Sequence, residues 1–242
     1  MKKIDLSRFS PRDFEDKILT LEEILVWFEN EDAYWAYEGE PSRKKPHAEL
    51  TSGLCSDGFF DCLLVLRYPN IAEILGRQLA ERFIRNGWFG WNYIDWVISS
   101  SYAAITFGHE VAKALGAIFM MTEKDEKDPK KMVWRRMTIP ETARVLQVEE
   151  LITTSGTFQE VYRAVKEGNQ VKTFFWGGPV GALVHRPAKL PAVYQSEFGG
   201  RQVVALIEKE IRAYKPEECP YCKAGSPRYR PKSHWLELTG KK

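Results

Sequence analysis

The sequence predicts an α/β protein in which a parallel sheet is flanked by helices. From about residue 91 onward, short apolar segments of strand length alternate with amphipathic segments of about three helical turns. Two of the amphipathic segments end at glycines, Gly116 and Gly168, as helices commonly do. Such alternation forms a parallel sheet, and right-handed crossovers bring the carboxyl ends of its strands to one edge, where these sheets bind ligands.

The same patterns place the individual elements. Four strands are predicted, in the segments YIDWVIS (93–99), AIFMMT (117–122), ARVLQVE (143–149) and QVKTFFW (170–176). Helices are expected over TFGHEVAKALG (106–116) and TFQEVYRAVKEG (157–168). The earlier part of the chain predicts a helix over 11–28, a loop over 31–48, a strand, glycine turn and strand over 47–69, and a helix over 70–87.

These elements suggest three parts: residues 1–90 as an N-terminal hood with helices, 91–205 as the core, and 206–242 as a C-terminal helix and tail. A proline-rich tail from residue 215 predicts a surface wrap or a partly mobile end.

Composition narrows the class of protein. The chain has 242 residues, 44% of them apolar and 28% charged, with a formal net charge of +2. A charge so close to balance argues against nucleic-acid binding, and no apolar stretch approaches the roughly 20 residues of a membrane span. The first residues lack the apolar region of a signal peptide, so we expect a cytoplasmic protein with reduced thiols.

The segment VEELITTSGT (148–157) carries the strongest functional signal. Glu149 and Glu150 end a predicted strand, and the turn into the next helix is rich in hydroxyl donors around one glycine, in the order Thr153, Thr154, Ser155, Gly156 and Thr157. A helix start of this kind suits a phosphate dianion. The acids suit the vicinal hydroxyls of a ribose, or they help to place a magnesium ion. The simpler alternatives are an ordinary helix cap and solvated acids.

With its surroundings, this segment resembles the 5-phosphoribosyl-1-pyrophosphate (PRPP) motif of type I phosphoribosyltransferases, and more of the chain resembles the orotate phosphoribosyltransferase branch. The resemblance rests on VLQVEELITTSGTFQEVYRAVKEG, on DWVISSSYAAITFGHEVAKALG, on the TSG and SDGFF groups of residues 51–60 and on ECPYCKAGSP. It implies the type I phosphoribosyltransferase fold with an N-terminal hood. The implied reaction joins a pyrimidine base, orotate above all, to the ribose 5-phosphate of PRPP and releases pyrophosphate.

The resemblance also implies roles for particular residues. The pyrophosphate loop would be Ser100, Ser101, Tyr102, Ala103 and Ala104. Glu149 and Glu150 would hold the ribose, and a lid within 123–143 would supply Lys124 and Lys127 as catalytic cations, with Arg135 and Arg136 beside them. The base would bind among Thr51, Ser52, Gly53, Phe59 and Phe60, although aromatic residues in strands usually pack in a core. Mg2+ would arrive with PRPP, with no protein side chain bound to it directly, and the family implies a homodimer.

The chain departs from that pattern where it has Ala103 and Ala104 in place of glycines, and Glu150 in place of aspartate. Two alternatives therefore stay open: a phosphoribosyltransferase for another base, and a non-catalytic PRPP- or nucleotide-binding regulator. A third and weaker alternative is a pure metal-binding or scaffold protein.

The cysteines form one CxxC pair, Cys219 and Cys222, with Cys55 and Cys62 far away in sequence. One such pair does not make a zinc site, because zinc needs four ligands. Cys55 and Cys62 would complete one only if the tail folds back near residues 47–69. The simpler expectation is reduced or incidental thiols, since the four histidines show no metal-ligand spacing.

Overall fold

The computed structural model describes residues 3–192, 194 and 201–241. The predicted three-part division also includes residues 1, 2, 193, 195–200 and 242, which lie outside the described residues. Within the described residues the α-helices are α1 (Leu21–Asn30), α2 (Cys62–Leu66), α3 (Pro69–Arg85), α4 (Ala104–Leu115), α5 (Gly156–Gly168), α6 (Pro220–Lys223) and α7 (Trp235–Thr239). Short 3-10 turns precede them at Leu6–Arg8 and Pro11–Phe14.

The strands fall into a large central sheet and smaller pieces around it. The strands of the central sheet are β5 (Trp96–Ser99), β6 (Ile118–Met121), β9 (Arg144–Ile152), β10 (Phe174–Phe175), β11 (Val180–His185) and β12 (Val203–Glu208). The remaining strands are β1 (Tyr34–Ala36), β2 (His47–Glu49), β3 (Cys55–Ser56), β4 (Gly58–Phe60), β7 (Glu123–Lys124), β8 (Met132–Val133), β13 (Ala213–Tyr214) and β14 (Arg228–Tyr229).

The central sheet is parallel, in the order β12-β11-β9-β5-β6, and β10 pairs with the start of β9. The carboxyl ends of β5, β9 and β11 therefore lie at one edge of the sheet. The order places β9 in the middle, so that the acid pair at its end lies between the ends of two neighbouring strands. The expected parallel sheet is confirmed.

Helices cover both faces of this sheet. Helices α1–α4 bury apolar side chains such as Phe28, Leu79 and Phe107 against one face, together with Leu146 and Val148 of β9. Helix α5 covers the other face, where its Val161 packs in a second cluster with Val145 of β9. Side chains on β9 thus alternate between the two cores, as a strand buried on both faces requires.

The N-terminal region differs from its prediction. The helix expected over 11–28 is confirmed only from Leu21 onward, and residues 11–14 form a 3-10 turn. Thr20 fixes that start: its hydroxyl accepts from the Glu23 amide at 3.2 Å, and Glu23 Oε2 accepts from the Thr20 amide at 2.9 Å. This capping box satisfies two backbone groups at the helix end and outweighs the apolar pattern before it.

Several strand predictions differ from the structure. Residues 62–66 form α2, not strand, and the strand predicted over 170–176 shortens to the two residues of β10. Strands β1, β11 and β12 were missed, the first within the predicted loop of 31–48. An apolar run buried on both faces, such as VGALVH in β11, has no alternation from which its period can be read.

The tail folds back on the hood. β13 pairs antiparallel with β3, and β14 pairs parallel with β2, so that the hood and tail form one four-stranded sheet in the order β13-β3-β2-β14. The described helices include none that is both long and apolar enough to cross a bilayer.

Candidate functional site

The turn between β9 and α5 encloses a small cavity at the ligand edge of the sheet. The cavity has a volume of about 160 Å³ and is lined by Glu149, Leu151, Ile152 and all residues from Thr153 to Phe158. Ser155, the N-cap of α5, has a left-handed backbone with φ 67°, which turns the chain sharply into the helix. Backbone N–H groups in the first turn of an α-helix have no hydrogen-bond acceptor within the helix, and they lie at the positive end of the helix dipole. The cavity is therefore suited to an anion.

Gly156 leaves the mouth of this cavity open. No described heavy atom lies within 4 Å of the position that a Cβ would occupy there, apart from chain neighbours and the backbone of α5 itself. Its backbone does not require glycine, since its φ lies outside the positive range. The absence of a side chain at Gly156 thus leaves the turn accessible to a ligand.

A chain of hydrogen bonds stabilises the turn between β9 and α5. The hydroxyl of Tyr194 donates to the carbonyl oxygen of Thr153 at 2.8 Å, and His185 Nε2 lies 2.9 Å from the same hydroxyl. His185 Nδ1 lies 2.8 Å from Glu208 Oε1. Sequence reasoning did not find His185 or Tyr194, because they act through the turn's backbone.

Glu149 is the buried acid of the site. Its side chain is 2% exposed; Ser100 Oγ donates to its Oε2 at 2.6 Å, and Gln147 Nε2 donates to its Oε1 at 3.4 Å. Burial, and then the neighbouring charge of Glu150, raise the pKa of Glu149 to about 8, although the two hydrogen bonds act in the opposite direction. The protein on its own therefore holds Glu149 largely protonated at neutral pH.

Glu150 belongs to the opposite face of the sheet, because successive residues of a strand point in opposite directions. Its face is the one on which Leu146 and Val148 meet α1–α4. Burial raises the pKa of the half-buried Glu150 carboxyl. The Cys62 thiol of α2 donates to the carbonyl oxygen of Glu150 at 3.4 Å, so the hood is in contact with the end of β9. The side chains of the two acids thus lie on opposite faces of the sheet, at the same end of β9.

The expected pyrophosphate loop lies next to Glu149, after β5. The Ser101–Tyr102 peptide bond is cis, and Tyr102 is 73% exposed. Ser101 Oγ is buried and has no hydrogen-bond partner among the described residues. Ala103 has φ −65°, and Ala104 is buried as the first residue of α4. The two alanines thus have right-handed helical backbone, which their methyl groups permit.

The expected lid is smaller than the charged segment 123–143 suggested. β7 and β8 pair antiparallel as a hairpin whose turn, 125–131, is closed by the Asp125 amide on the Lys131 carbonyl oxygen at 3.0 Å. Beyond β8, Trp134 and Ile139 are buried in the α5 core, and the Asn169 amide group holds the backbone of Ile139. Beyond the hairpin, the segment is therefore anchored to the α5 core at Trp134 and Ile139, while residues 135–138 between them are exposed.

The four predicted cations of this segment differ in their positions. Lys124 Nζ lies 5.7 Å from the centre of the Tyr102 ring, which puts it beside the pyrophosphate loop. Lys127 is exposed in the hairpin turn. Arg136 Nε pairs with Glu123 at 2.6 Å, and Arg135 Nη1 lies 3.5 Å from Glu126.

The predicted base-binding residues do not form one group. Thr51 and Ser52 are exposed in the turn between β2 and β3, where Gly53 has φ 81°. Phe60 is 3% exposed and packs on Phe28 and Tyr34, with ring centres 5.5 and 4.6 Å away. Phe60 is therefore a core residue, as aromatic residues in strands usually are. Phe59 is half-buried near Trp235, with 6.4 Å between the ring centres.

Arg186 is a functional candidate that sequence reasoning missed. It directly follows β11 at the ligand edge, and its amide donates to the Ile152 carbonyl oxygen at 2.9 Å. Its Nε is buried and has no hydrogen-bond partner among the described residues. Burial lowers the pKa of its guanidinium, with Cys62 and Asp57 as its nearby acidic groups. The signal in the sequence was an arginine at the end of the apolar run VGALVH.

Comparisons with known proteins agree with this geometry. No family model matches the chain. An orotate phosphoribosyltransferase of Pelotomaculum thermopropionicum is 37% identical over 191 residues, which cover 77% of this chain and 88% of that relative. One of Caldanaerobacter subterraneus subsp. tengcongensis is 33% identical over 193 residues, covering 79% and 91%.

Two solved structures share the fold. Orotate phosphoribosyltransferase from Aeropyrum pernix superposes with a TM-score of 0.51 at 14% identity, covering 75% of this chain and 90% of that one. Leishmania donovani UMP synthase gives 0.53 at 14% identity, covering 77% of this chain and 36% of that one. The expected type I phosphoribosyltransferase fold and the expected enzyme class are confirmed, and the chain belongs to the orotate phosphoribosyltransferase family.

Proposed function

We propose that this protein transfers the ribose 5-phosphate of PRPP to N1 of orotate, giving orotidine 5′-monophosphate and pyrophosphate. The observation that carries the proposal is the position of Glu149. It lines the anion cavity of the 153–157 turn, and it is hydrogen-bonded to Ser100 of the adjacent loop. One carboxyl group thus joins a site for a sugar phosphate to a site for its leaving group.

The turn from Thr153 to Thr157 binds the 5-phosphate in this proposal. Backbone amides at the start of α5 and the hydroxyls of the turn donate to the phosphate oxygens, and the helix dipole adds partial positive charge. The bond from Tyr194 to the Thr153 carbonyl oxygen keeps the turn in place before the ligand arrives. Holding the phosphate still contributes to the rate by fixing the position of the reacting carbon.

Glu149 orients the ribose through the hydroxyl nearest the cavity. Its raised pKa means that the acid is largely neutral in the protein alone. A ribose hydroxyl that donates to this group favours the carboxylate form, so binding and loss of the proton occur together. Glu150, on the hood side of the same strand, takes the part of the ribose that faces the base.

The residues present fit a magnesium ion that arrives with PRPP. Oxygen donors are the ligands that Mg2+ prefers, and the site offers the Glu149 carboxyl and the buried Ser101 Oγ, which has no hydrogen-bond partner among the described residues. The Glu149 carboxylate would hold the hydrated ion, and the Ser101 hydroxyl would hold the ion or donate to a pyrophosphate oxygen beside it. When bound, the ion neutralises negative charge on the leaving pyrophosphate.

The β7–β8 hairpin and the residues after it supply the remaining positive charge, next to the pyrophosphate loop. Lys124, beside Tyr102, is the best-placed cation, since it needs only a small movement to meet an anion on the loop. Arg135 and Arg136 are ion-paired with acids of the hairpin and support its shape in the free protein. Lys127, in the hairpin turn, reaches the site only if the hairpin closes, which would also exclude water from an oxocarbenium-like transition state.

Arg186 binds the carboxylate of the base in this proposal. Orotate is a flat anion, and a guanidinium recognises a carboxylate through two parallel hydrogen bonds. Arg186 lies at the sheet edge, and its nearby acidic groups, Cys62 and Asp57, belong to the hood. The exposed turn of Thr51, Ser52 and Gly53 and the half-buried Phe59 are the hood residues left to contact the ring, whereas Phe60 stays in the core.

A homodimer and a cytoplasmic location complete the proposal. β6 is an edge strand of the central sheet, and its four apolar residues stay partly exposed, with Ile118 at 55%. An apolar edge of this kind suits a second copy of the chain. Light scattering on the purified protein would give the mass of two chains; a single-chain mass across the micromolar range would contradict a dimer.

The test of function is a panel of free bases with PRPP and Mg2+, read by pyrophosphate release. Orotate alone should be consumed, with orotidine 5′-monophosphate as product. Turnover with another base in place of orotate would indicate a phosphoribosyltransferase of different base specificity. Calorimetric binding of PRPP without consumption of any base would favour a non-catalytic regulator.

A further inference from the structure

Four side chains outside the proposed active site meet between the hood and the tail. They are His47 of β2, Cys55 of β3, Cys219 at the N-cap of α6, and Cys222 within α6, and their ligand atoms all lie within 4.8 Å of one another. The first three are fully buried and Cys222 is half-buried. The chain brings them together from segments more than 160 residues apart.

The distances match the edges of a metal tetrahedron. Cys55 Sγ and Cys222 Sγ are 3.5 Å apart, and Cys222 Sγ lies 3.4 Å from His47 Nε2. Zinc–sulfur bonds of about 2.3 Å in tetrahedral geometry place two sulfurs about 3.8 Å apart. A disulfide requires about 2.05 Å, so the cysteines are spaced for a shared ion.

Hydrogen bonds fix the imidazole in the form that binds a metal. Ser226 Oγ donates its one proton to the Lys45 carbonyl oxygen at 2.6 Å, and His47 Nδ1 lies 2.8 Å from the same Oγ. Ser226 therefore accepts from Nδ1–H, which leaves the Nε2 lone pair directed at the three sulfurs. Metal-bound histidines typically donate their other N–H in this way.

The surroundings also balance the charge of such a centre. Three thiolates and one divalent ion carry a net charge of −1, and Arg228 Nη1 lies 4.0 Å from Cys55 Sγ. The amide of Cys222 points at Cys219 Sγ at 3.5 Å, and the Tyr221 ring stacks on His47 with 5.4 Å between the centres. All four ligand positions come from the protein, which is typical of a structural site, since catalytic zinc keeps one position open.

We propose that His47, Cys55, Cys219 and Cys222 bind a structural zinc ion that fastens the tail to the hood. The tail folds back near residues 47–69, which was the condition for a zinc site. The fourth ligand is His47, however, and not Cys62. Cys62 lies elsewhere, against the Glu150 carbonyl oxygen. The expectation of incidental thiols is thus replaced for three of the four cysteines, and the histidine was missed because its partners are remote in sequence.

The ion would hold β13 and β14 against β3 and β2. Those four strands are two or three residues long, and the pairing is therefore weak without a further link. The site closes loops of more than 160 residues, where a cross-link restricts the unfolded chain most. Removal of the ion should loosen residues 213–229 while leaving the β9–α5 turn unchanged.

Metal analysis of the full chain, purified without a metal-affinity step, tests the site. The expected result is about one zinc ion per chain in the untreated protein. Cys222→Ser should lose it, Cys62→Ser should keep it as the matched control, and His47→Cys should keep it by restoring a fourth ligand. Ser226→Ala should weaken zinc affinity about 10- to 100-fold, the usual effect of a lost partner to a ligand.

Cobalt substitution decides the question if a ligand variant fails to fold. The wild-type protein loaded with Co2+ should show the strong visible bands of a tetrahedral ion and a thiolate-to-cobalt band in the near ultraviolet. Amide hydrogen exchange after zinc removal should speed up across 213–229. Protein that takes up no zinc on reconstitution, a Cys222→Ser variant with full zinc content, or a Cys55–Cys222 disulfide in protein handled under reducing conditions would overturn the proposal.

Discussion

Ser100 Oγ donates a 2.6 Å hydrogen bond to Glu149 Oε2, and this bond joins the loop after β5 to the end of β9. We propose that these two segments bind the pyrophosphate and the ribose of PRPP. Both residues are almost fully buried. A carboxyl group buried next to another acid needs donors to stay in place, and Ser100 is the nearer of the two that it has. The pyrophosphate loop and the ribose site should therefore respond together to a change at either residue.

Replacing Ser100 tests this link. In Ser100→Ala the Glu149 carboxyl loses a donor that favours its charged form, so its pKa should rise above about 8. We expect kcat/KM for PRPP to fall about 10- to 100-fold, the effect of losing one hydrogen bond to a charged group. A steady-state pH profile would show the acid limb displaced toward higher pH.

The control for that variant is Ser233→Ala, at an exposed serine of the tail whose hydroxyl contacts only His234 among the described residues. It should leave the profile unchanged. An unaltered acid limb in Ser100→Ala would mean that the bond has no part in setting the charge of Glu149.

Affinity for PRPP should depend on pH through Glu149. The acid is protonated below a pKa of about 8, and a ribose hydroxyl favours its carboxylate form. Binding should therefore weaken by up to about tenfold for each pH unit below 8 and level off above it. Calorimetry in buffers of different ionisation enthalpy would detect the proton released on binding. The ionisations of PRPP itself affect binding to wild type and to Glu149→Gln equally. Any pH dependence that wild type shows and the variant does not therefore comes from the Glu149 carboxyl group.

The same pKa predicts how stability changes with pH. A carboxyl with a raised pKa in the folded protein releases its proton later than in the unfolded chain, so the unfolded state binds fewer protons between about pH 4.5 and 8. The contribution of Glu149 to the free energy of unfolding should fall across this range, by at most about 1.4 kcal/mol per pH unit, and stay constant above it. Urea titrations of wild type and Glu149→Gln should diverge with rising pH, with the variant the more stable. Parallel curves would place the pKa of Glu149 near its ordinary value.

The sequence alone could predict that the turn of residues 153–157 lies beside Glu149 at the start of a helix, because its parts are contiguous. A strand, two acids, a hydroxyl-rich turn and a helix follow one another within about twenty residues, and local geometry then determines where their polar groups point. Even so, the opposite directions of Glu149 and Glu150 were overlooked, although strand alternation alone implies them.

The candidate base-binding residue and the proposed zinc ligands come from segments far apart in the chain, and the sequence gives no local sign that they converge. Nothing in the local sequence distinguishes Arg186 from the other arginines. Only the pairing of β11 with β9 shows that it lies near the end of β9. His47 becomes a candidate ligand only when the tail returns to β2. Phe60 looked available for a base, yet its position opposite Tyr34 in the β1–β4 pair puts it in the core. Local patterns specify turns and helix ends, whereas side-chain convergence is decided by topology.

The open space above Gly156 predicts that a side chain there blocks the phosphate without unfolding the protein. Gly156→Val places its methyl groups in the mouth of the cavity, where no described heavy atom lies within 4 Å of the Cβ position apart from chain neighbours and the backbone of α5 itself. We expect PRPP affinity to fall about 100-fold or more, since the phosphate loses several charge-assisted hydrogen bonds. The thermal unfolding temperature should change by only a few degrees, because the substitution neither leaves a cavity nor meets a neighbour.

Gly90→Val is the matched control, since Gly90 also has open space around its Cβ position and lies before β5, at the far edge of the sheet. That variant should bind PRPP like wild type. If Gly156→Val kept its affinity, the phosphate would have to bind elsewhere.

Arg186 should determine affinity for the base and have little influence on PRPP. Arg186→Gln removes the charge that would pair with the orotate carboxylate, and Arg186→Lys keeps the charge but loses the two-pronged geometry. We expect KM for orotate to rise about 10- to 100-fold in Arg186→Gln, in line with the loss of one or two charged hydrogen bonds, and somewhat less in Arg186→Lys. KM for PRPP should stay within about threefold of wild type, because the proposed 5-phosphate site is the turn that begins α5, whereas the ionisable groups near Arg186 are Cys62 and Asp57 of the hood. Arg85→Gln, at an exposed arginine of α3, controls for the change in net charge. Equal increases in both KM values would show that Arg186 supports the sheet edge as a whole and does not bind the base.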